Sequence, residues 1–362
     1  MLHELQSLKQ LSTCRIAIVR SLPALSDLLC TVPALRALRA AFPQAEITFI
    51  APAAARYFAE RFSHYIDQFL EFPGYPGMPE IPASVHKLPE FLTKAQGQHF
   101  DLALQMYDNG TISNSFTALL DARINAGFRL PEHYCPNPDY FLPYPHNEPE
   151  IWRHLRLMEF LGIPLQGDEL EFPLQNEDFG VLRHIPDKYV CIHPGATLPE
   201  KRWSLKSFAI VADAIAASGY QVVLTGIASE ANLTQSLAAM MRCKPIDLAG
   251  KTSLGAMAAL LSKASLLVCN DTGVSHLADA LKVKSVIIFT NASMYRWAPL
   301  NREIHRSLSP SFIQMTDVEE LFVDPTTNFG DTKFGGFYFP VIPEVVITQV
   351  EDLLAIEASN VT

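Results

Sequence analysis

Residues 15–50 read RIAIVRSLPALSDLLCTVPALRALRAAFPQAEITFI, and the order of patterns in this stretch decides the fold. Arg15 to Arg20 holds a short apolar run of strand length. After a turn at Ser21 to Ser26, Leu28, Val32, Leu35 and Leu38 recur at helical spacing as far as Ala41. Phe42-Pro43 closes that helix, and Glu46 to Ile50 reads as a second strand. Strand, helix, strand in close succession is a βαβ unit, and a βαβ unit dictates a parallel sheet. Asp101 to Gln105 is a further buried-strand candidate, so the first half reads as α/β.

The same alternation returns after a polar, Pro-rich stretch. Tyr189 to Ile192 is a strand that ends at His193-Pro194-Gly195. Leu205 to Ser218 is helical in pattern, Gly219 closes it, and Gln221 to Leu224 is the next strand. A helix over Glu230 to Met241, a short strand at Ile246 to Leu248 and a helix over Leu254 to Ala264 follow. Leu266 to Cys269, Val274 to Leu281 and Ser285 to Phe289 then read as strand, helix, strand. The predicted class is α/β, with two Rossmann-like domains facing a central cleft, where ligands commonly bind. The domains are placed at residues 1–165 and 166–340. Within residues 341–362, Val346, Val350, Leu353 and Leu354 mark an amphipathic helix.

Composition narrows the function. With 362 residues, 49% of them hydrophobic and 18% charged, the chain has material for two cores and is not a disordered polymer. Lys plus Arg total 28 against 38 for Asp plus Glu, a net charge of −10 that argues against a nucleic-acid partner. No run approaches a membrane span of about 18–20 apolar residues, and Lys263 interrupts the most tempting stretch before Leu266, Leu267 and Val268. Met1 to Gln10 lacks the basic start and apolar middle of a signal peptide, and the expected location is cytoplasmic. The six cysteines are scattered without a CxxC pair, which fits small buried hydrophobes better than disulfides or a zinc site.

Chemistry concentrates where strands end. Asn270-Asp271-Thr272-Gly273-Val274-Ser275-His276 runs from a strand directly into a helix. The first amides of a helix have no intrahelical partners, and its dipole presents positive potential, so such a turn suits a phosphate. Gly273 allows close approach, and Thr272 or Ser275 can add a hydroxyl; equally, Asp271 can serve only as a helix cap. His193-Pro194-Gly195-Ala196-Thr197 ends the first strand of the same domain, and Lys201-Arg202-Trp203 precede the next helix. Lys201 is placed to neutralise a departing diphosphate, or is a solvated surface cation. Thr225-Gly226 follows the next strand, and Glu230 can accept from ribose hydroxyls or merely favour a helix start. In the first domain, Asp27 stands at a helix N-terminus as a general base or as a cap. The stretch from Glu71 to Pro89, with five prolines, reads as a surface loop or as a lip whose contact groups are Phe72 and Tyr75. No nicotinamide-type Gly-x-Gly-x-x-Gly follows either first strand.

Taken together, Arg15 to Asp27 with Thr31 to Arg39, His193 to Ala196, Lys201 to Trp203, and Asn270 to His276 resemble the heptosyltransferase-like glycosyltransferases of family 9. The order and spacing match over roughly residues 14–300. The resemblance implies a GT-B fold and transfer with inversion, without a required metal or cofactor. The implied donor is a nucleotide-diphospho-sugar, ADP-heptose-like; the implied acceptor is a lipopolysaccharide-type glycan or its lipid-linked precursor. It also implies peripheral contact with the cytoplasmic face of the inner membrane. No Asp-x-Asp pair of the metal-dependent kind is present. By resemblance the catalytic base falls on Asp27 and the donor-phosphate lysine on Lys201. His193, Gly195, Thr197, Arg202, Thr225, Gly226, Glu230, Asp271, Thr272, Gly273 and His276 belong to the donor side, and Ser26, Arg56, Arg61 and Tyr75 to the acceptor side. The closing helix is expected to cross back to the first domain. The family usually carries Gly where this chain has Ser26, and a left-handed backbone there would strain a serine. From Glu71 to Lys94 only Lys87 and Lys94, with Arg56 and Arg61 upstream, are basic contacts for an acidic acceptor. The alternatives are a GT-B nucleotide-sugar epimerase or hydrolase, and a catalytically silent nucleotide-sugar-binding homologue.

Overall fold

Strands that are apolar on both faces need helices on both faces, and the two sheets follow from that requirement. A computed structural model describes residues 14–84, 86–314 and 336–359. The chain divides into two units, Met1–Pro173 and Leu174–Thr362. Along the first run β1 (Arg15–Val19), α1 (Leu25–Leu29), α2 (Val32–Ala41), β2 (Glu46–Ala51), α3 (Arg56–Arg61) and β3 (Gln68–Glu71). Then come α4 (Lys87–Gln96), β4 (Leu102–Gln105), α5 (Ser113–Ala118), β5 (Ile124–Arg129), β6 (Phe141–Pro143) and α6 (Glu150–Phe160). The strands form one parallel sheet in the order β3-β2-β1-β4-β5-β6. Ile16, Ala17, Ile18 and Val19 of central β1 are fully buried, as the apolar run predicts.

The helix expected from Leu28 to Ala41 is two helices. Pro33 has no N–H to offer the carbonyl of Leu29, and the Thr31 hydroxyl instead bonds the Leu28 carbonyl at 2.6 Å, so the turn between α1 and α2 is tightened and broken. The proline-rich stretch also departs from its reading as a lip. Phe72 is buried and meets Phe116 edge-on in the core, and Tyr75 packs on the same Phe116 ring.

The second unit contains β7 (Tyr189–His193), α7 (Leu205–Ala217), β8 (Gln221–Leu224), α8 (Ala231–Met240), β9 (Ile246–Asp247), α9 (Leu254–Lys263) and β10 (Leu266–Asn270). It continues with α10 (Gly273–Ala280), β11 (Ser285–Ile288), α11 (Met294–Trp297), β12 (His305–Leu308), the pair β13 (Ser311–Gln314) and β14 (Gly336–Phe339), and α12 (Pro343–Ser359). Its parallel sheet has the order β12-β11-β10-β7-β8-β9, while β13 and β14 pair antiparallel. Much of the Phe- and Gly-rich stretch from Asp317 to Pro340 lies outside the described residues.

The contacts place residues 166–173 in the first unit and show what α12 packs on within the second. Residues 166–173 go with the first unit because Arg36 of α2 donates to the carbonyls of Gln166 and Glu169, and Phe172 meets Phe62 edge-on. Val346, Val350, Leu353 and Leu354 of α12 join the core built by α7 and the second sheet, and Lys284 bonds the Leu353 carbonyl.

Candidate active site

In the second unit, β7 and β10 are neighbours whose crossovers run in opposite directions, β7 to β8 on one side and β10 to β11 on the other. A crevice opens at such a switch point, beyond the carboxyl ends of the strands. Register pairs Cys269 with His193, so Asn270 and Asp271 stand beside the loop that follows β7. Asn270 is fully buried, and its amide ties three segments together. Its Oδ1 accepts from the Trp203 amide at 2.9 Å, and its Nδ2 donates to the carbonyls of Pro194 at 2.8 Å and Gly195 at 3.3 Å.

Asp271 is not the cap of α10. That position belongs to Thr272, whose extended backbone starts the helix without a side-chain capping bond, and Gly273 opens the first turn. The buried Asp271 carboxylate instead accepts from Lys201 Nζ at 3.0 Å. Lys201 is therefore not a solvated surface cation: a short 3-10 turn at Pro199–Lys201 brings its ammonium to the mouth of α10. Ser275 is committed internally, its hydroxyl donating to the Thr272 carbonyl at 2.7 Å, which leaves Thr272 as the hydroxyl of the turn. His276 is buried within α10 and meets Trp297 edge-on. Arg202 holds the β7 loop in place: Nε and Nη2 both donate to the Ala196 carbonyl, at 2.9 and 2.8 Å. Thr197 is exposed on that loop.

A second cluster closes the far side of the loop. Glu230 is buried, and its Oε2 accepts from the Ile227 amide at 3.0 Å. His193 Nε2 lies 3.8 Å from the same oxygen, and His193 Nδ1 lies 3.1 Å from the Thr225 hydroxyl. Burial lowers the affinity of His193 for a second proton, and the Glu230 charge only partly opposes that, so the imidazole is neutral near pH 7. Gly195 makes room for this acid, since a Cβ there would lie 2.2 Å from Glu230 Oε1; Gly226 borders the Glu230 Cβ. The strand ends thus carry one corner with a cation and a helix N-terminus, and another with a buried acid beside a neutral imidazole.

In the first unit the switch point lies between β1 and β4. Asp27 sits in the first turn of α1, behind Ala24 as the N-cap, so it is not the cap either. Ser26 is helical and does not adopt the left-handed conformation, so serine is unstrained where the family usually has glycine. Arg20 directly follows β1, is wholly buried, and donates through Nη2 to the Asp27 carbonyl at 2.9 Å, with Asp27 Oδ1 at 3.4 Å. The remaining acceptor-side candidates are engaged elsewhere. Arg56 lies over the Phe69 ring and 3.8 Å from Glu71, and Arg61 reaches the Pro173 carbonyl and the Phe172 ring.

Sequence reasoning passed over Arg20, Glu150, Arg153 and His154, a buried polar group next to Asp27. The signal for Arg20 was present, a cation directly after an otherwise apolar run; α6, which carries the other three, lies in the polar, Pro-rich stretch ahead of the second alternating series. Among the described residues, no group of three or more His, Cys, Asp or Glu is placed to hold a metal ion, and no helix is long and apolar enough to cross a membrane.

Comparison with known proteins bears on the whole arrangement. The sequence model of glycosyltransferase family 9 (heptosyltransferase) matches residues 90–321. Lipopolysaccharide heptosyltransferase 3 of Escherichia coli is 29% identical over 225 residues, 59% of this chain and 62% of that protein, so the match spans less than two thirds of that relative. A family 9 glycosyl transferase from Veillonella parvula superposes with a TM-score of 0.74 at 22% identity, covering 94% of this chain and 97% of that one. The E. coli ADP-heptose lps heptosyltransferase II gives 0.69 at 20% identity, over 95% and 99%. At these identities the likeness is one of fold, and it places the chain in the GT-B class that the family resemblance implies.

Proposed function

We propose, because this chain belongs to glycosyltransferase family 9, that it transfers a heptose or related sugar from an ADP-heptose-like donor to a lipopolysaccharide-type glycan, with inversion at the anomeric carbon. The observation that carries this reading is the Lys201–Asp271 contact at the uncapped start of α10. A cation held at a helix N-terminus is suited to a diphosphate, and binding would exchange the Asp271 partner of Lys201 for phosphate oxygens.

The reaction would be a single displacement. The acceptor oxygen attacks the anomeric carbon while its proton passes to the Asp27 carboxylate. The bond from that carbon to the diphosphate breaks, and the charge left on the nucleoside diphosphate is met by Lys201 and the first amides of α10. Glu230 is the candidate for the ribose hydroxyls, and no metal takes part in the scheme. The acceptor would be reached at the cytoplasmic face of the inner membrane.

ADP-heptose with a core-truncated lipopolysaccharide as acceptor tests the reading. Transfer is expected, and Asp27→Asn should lower turnover by about 10²–10⁴-fold with ADP affinity held within about twofold. Full turnover in that variant would take Asp27 out of the chemistry.

A further inference from the structure

The geometry points to Glu150 as a positioning residue for Asp27: acting through the buried guanidinium of Arg20, it keeps the Asp27 carboxylate basic enough to accept a proton. The inference rests on the reading of Asp27 as the base.

Arg20 has no exposed surface, so water does not screen its charge. Its Nη1 is occupied by two carbonyls, Met106 at 2.7 Å and Tyr107 at 3.0 Å. Its Nη2 faces two carboxylates at once, Asp27 Oδ1 at 3.4 Å and Glu150 Oε1 at 3.6 Å. A lone buried guanidinium beside Asp27 would hold that carboxyl down by about 1–3 pH units, making a stable anion and a poor base. A second carboxylate on the same nitrogen offsets the cation and repels the Asp27 charge directly; both effects raise basicity.

The neighbours fix Glu150 in that role. Arg153 Nη1 lies 3.3 Å from Glu150 Oε2, and Arg153 is itself anchored to the Tyr144 hydroxyl and the His146 carbonyl. His154 Nε2 is 3.7 Å from Glu150 Oε1, but burial, reinforced by Arg20, takes its pKa down to about 4, so it adds no charge near neutral pH. From the loop after β4, Tyr107 offers only its carbonyl to Arg20; its phenol donates to Glu80, and burial keeps it protonated, with Asp108 following in the chain. The result is an alternating series Asp27, Arg20, Glu150, Arg153, in which the Asp27 side chain is 14% exposed and that of Glu150 4%.

The test is a carboxyl-carbon NMR titration of the full chain labelled with [13C]aspartate, the Asp27 signal being identified by its loss in Asp27→Asn. Glu150→Gln should lower the Asp27 midpoint by about one pH unit and move the acid limb of transfer from ADP-heptose the same way. An unmoved midpoint in folded Glu150→Gln overturns the inference. If that variant does not fold, Glu150→Asp, which draws the charge back by one methylene, should lower the midpoint by a smaller amount, and no lowering is again fatal. The two readings separate. Lost turnover in Asp27→Asn with an unmoved midpoint leaves the base and removes Glu150; full turnover in Asp27→Asn removes the base whatever the midpoint does.

Discussion

Gly195 has no side chain where Glu230 needs space. The Glu230 carboxylate is pinned by the Ile227 amide and flanked by His193, so it cannot swing away cheaply from a new methyl group whose carbon would sit 2.2 Å from Oε1. Gly195→Ala should therefore displace the acid rather than unfold the protein, with an overpacking cost of about 1–3 kcal/mol. If Glu230 holds the nucleotide, isothermal titration with ADP should show affinity reduced about tenfold or more; unchanged affinity in a folded variant would take Glu230 off the ligand. This corner shows what one sequence can and cannot disclose at the scale of a residue. His193-Pro194-Gly195 after a strand and Asp271-Thr272-Gly273 before a helix are local patterns, and both stand at strand ends as expected. The partner of each polar atom is not local. Lys201 and Asp271 are 70 residues apart, and only the register of β10 beside β7 makes one the counter-ion of the other. Arg202, the neighbour of Lys201, looks as apt for a phosphate in the sequence but is turned onto the Ala196 carbonyl.

Elements were legible where burial was symmetrical. Strands covered on both faces read as continuous apolar runs, and β1, β2, β4, β7, β8, β10 and β11 stand within a residue or so of their predicted spans. Helix α6 was not legible, because Glu150, Arg153 and His154 are buried on it and polar residues in a Pro-flanked stretch imitate a linker. Helix α12 was legible as an element but not in its partner: a stripe at Val346, Val350, Leu353 and Leu354 says which face is covered but not which surface covers it. Its placement in the second core can be measured. Leu353→Ala removes a fully buried side chain and should cost about 2–5 kcal/mol. Native-state hydrogen exchange should then speed up in β10 and β11, with β1 and β4 retaining their protection. The converse pattern would assign the helix to the first unit.

At the scale of the whole molecule, the chain carries two sheets of the same parallel type with different chemistry at their ends. The first ends in a carboxylate bound to a buried guanidinium; the second ends in an ammonium beside a helix N-terminus. Nothing in the shared architecture makes one sheet prefer a diphosphate, so the preference must come from these charges. A ligand that binds only the folded state stabilises it by an amount set by its concentration relative to Kd, about 2.7 kcal/mol at a hundredfold excess. That stabilisation is spent first where the ligand touches. ADP at such an excess should slow hydrogen exchange most strongly in peptides covering the ends of β7 and β10 and the first turn of α10. The ends of β1 and β4, where Asp27 and Tyr107 stand, should change least. In Lys201→Ala the same ADP concentration should protect the second unit less, because the cation that accompanies the α10 amides is gone. Protection centred on β1 and β4 would reverse the assignment of donor and acceptor to the two units, and would require Asp27 to face the nucleotide instead of the acceptor hydroxyl.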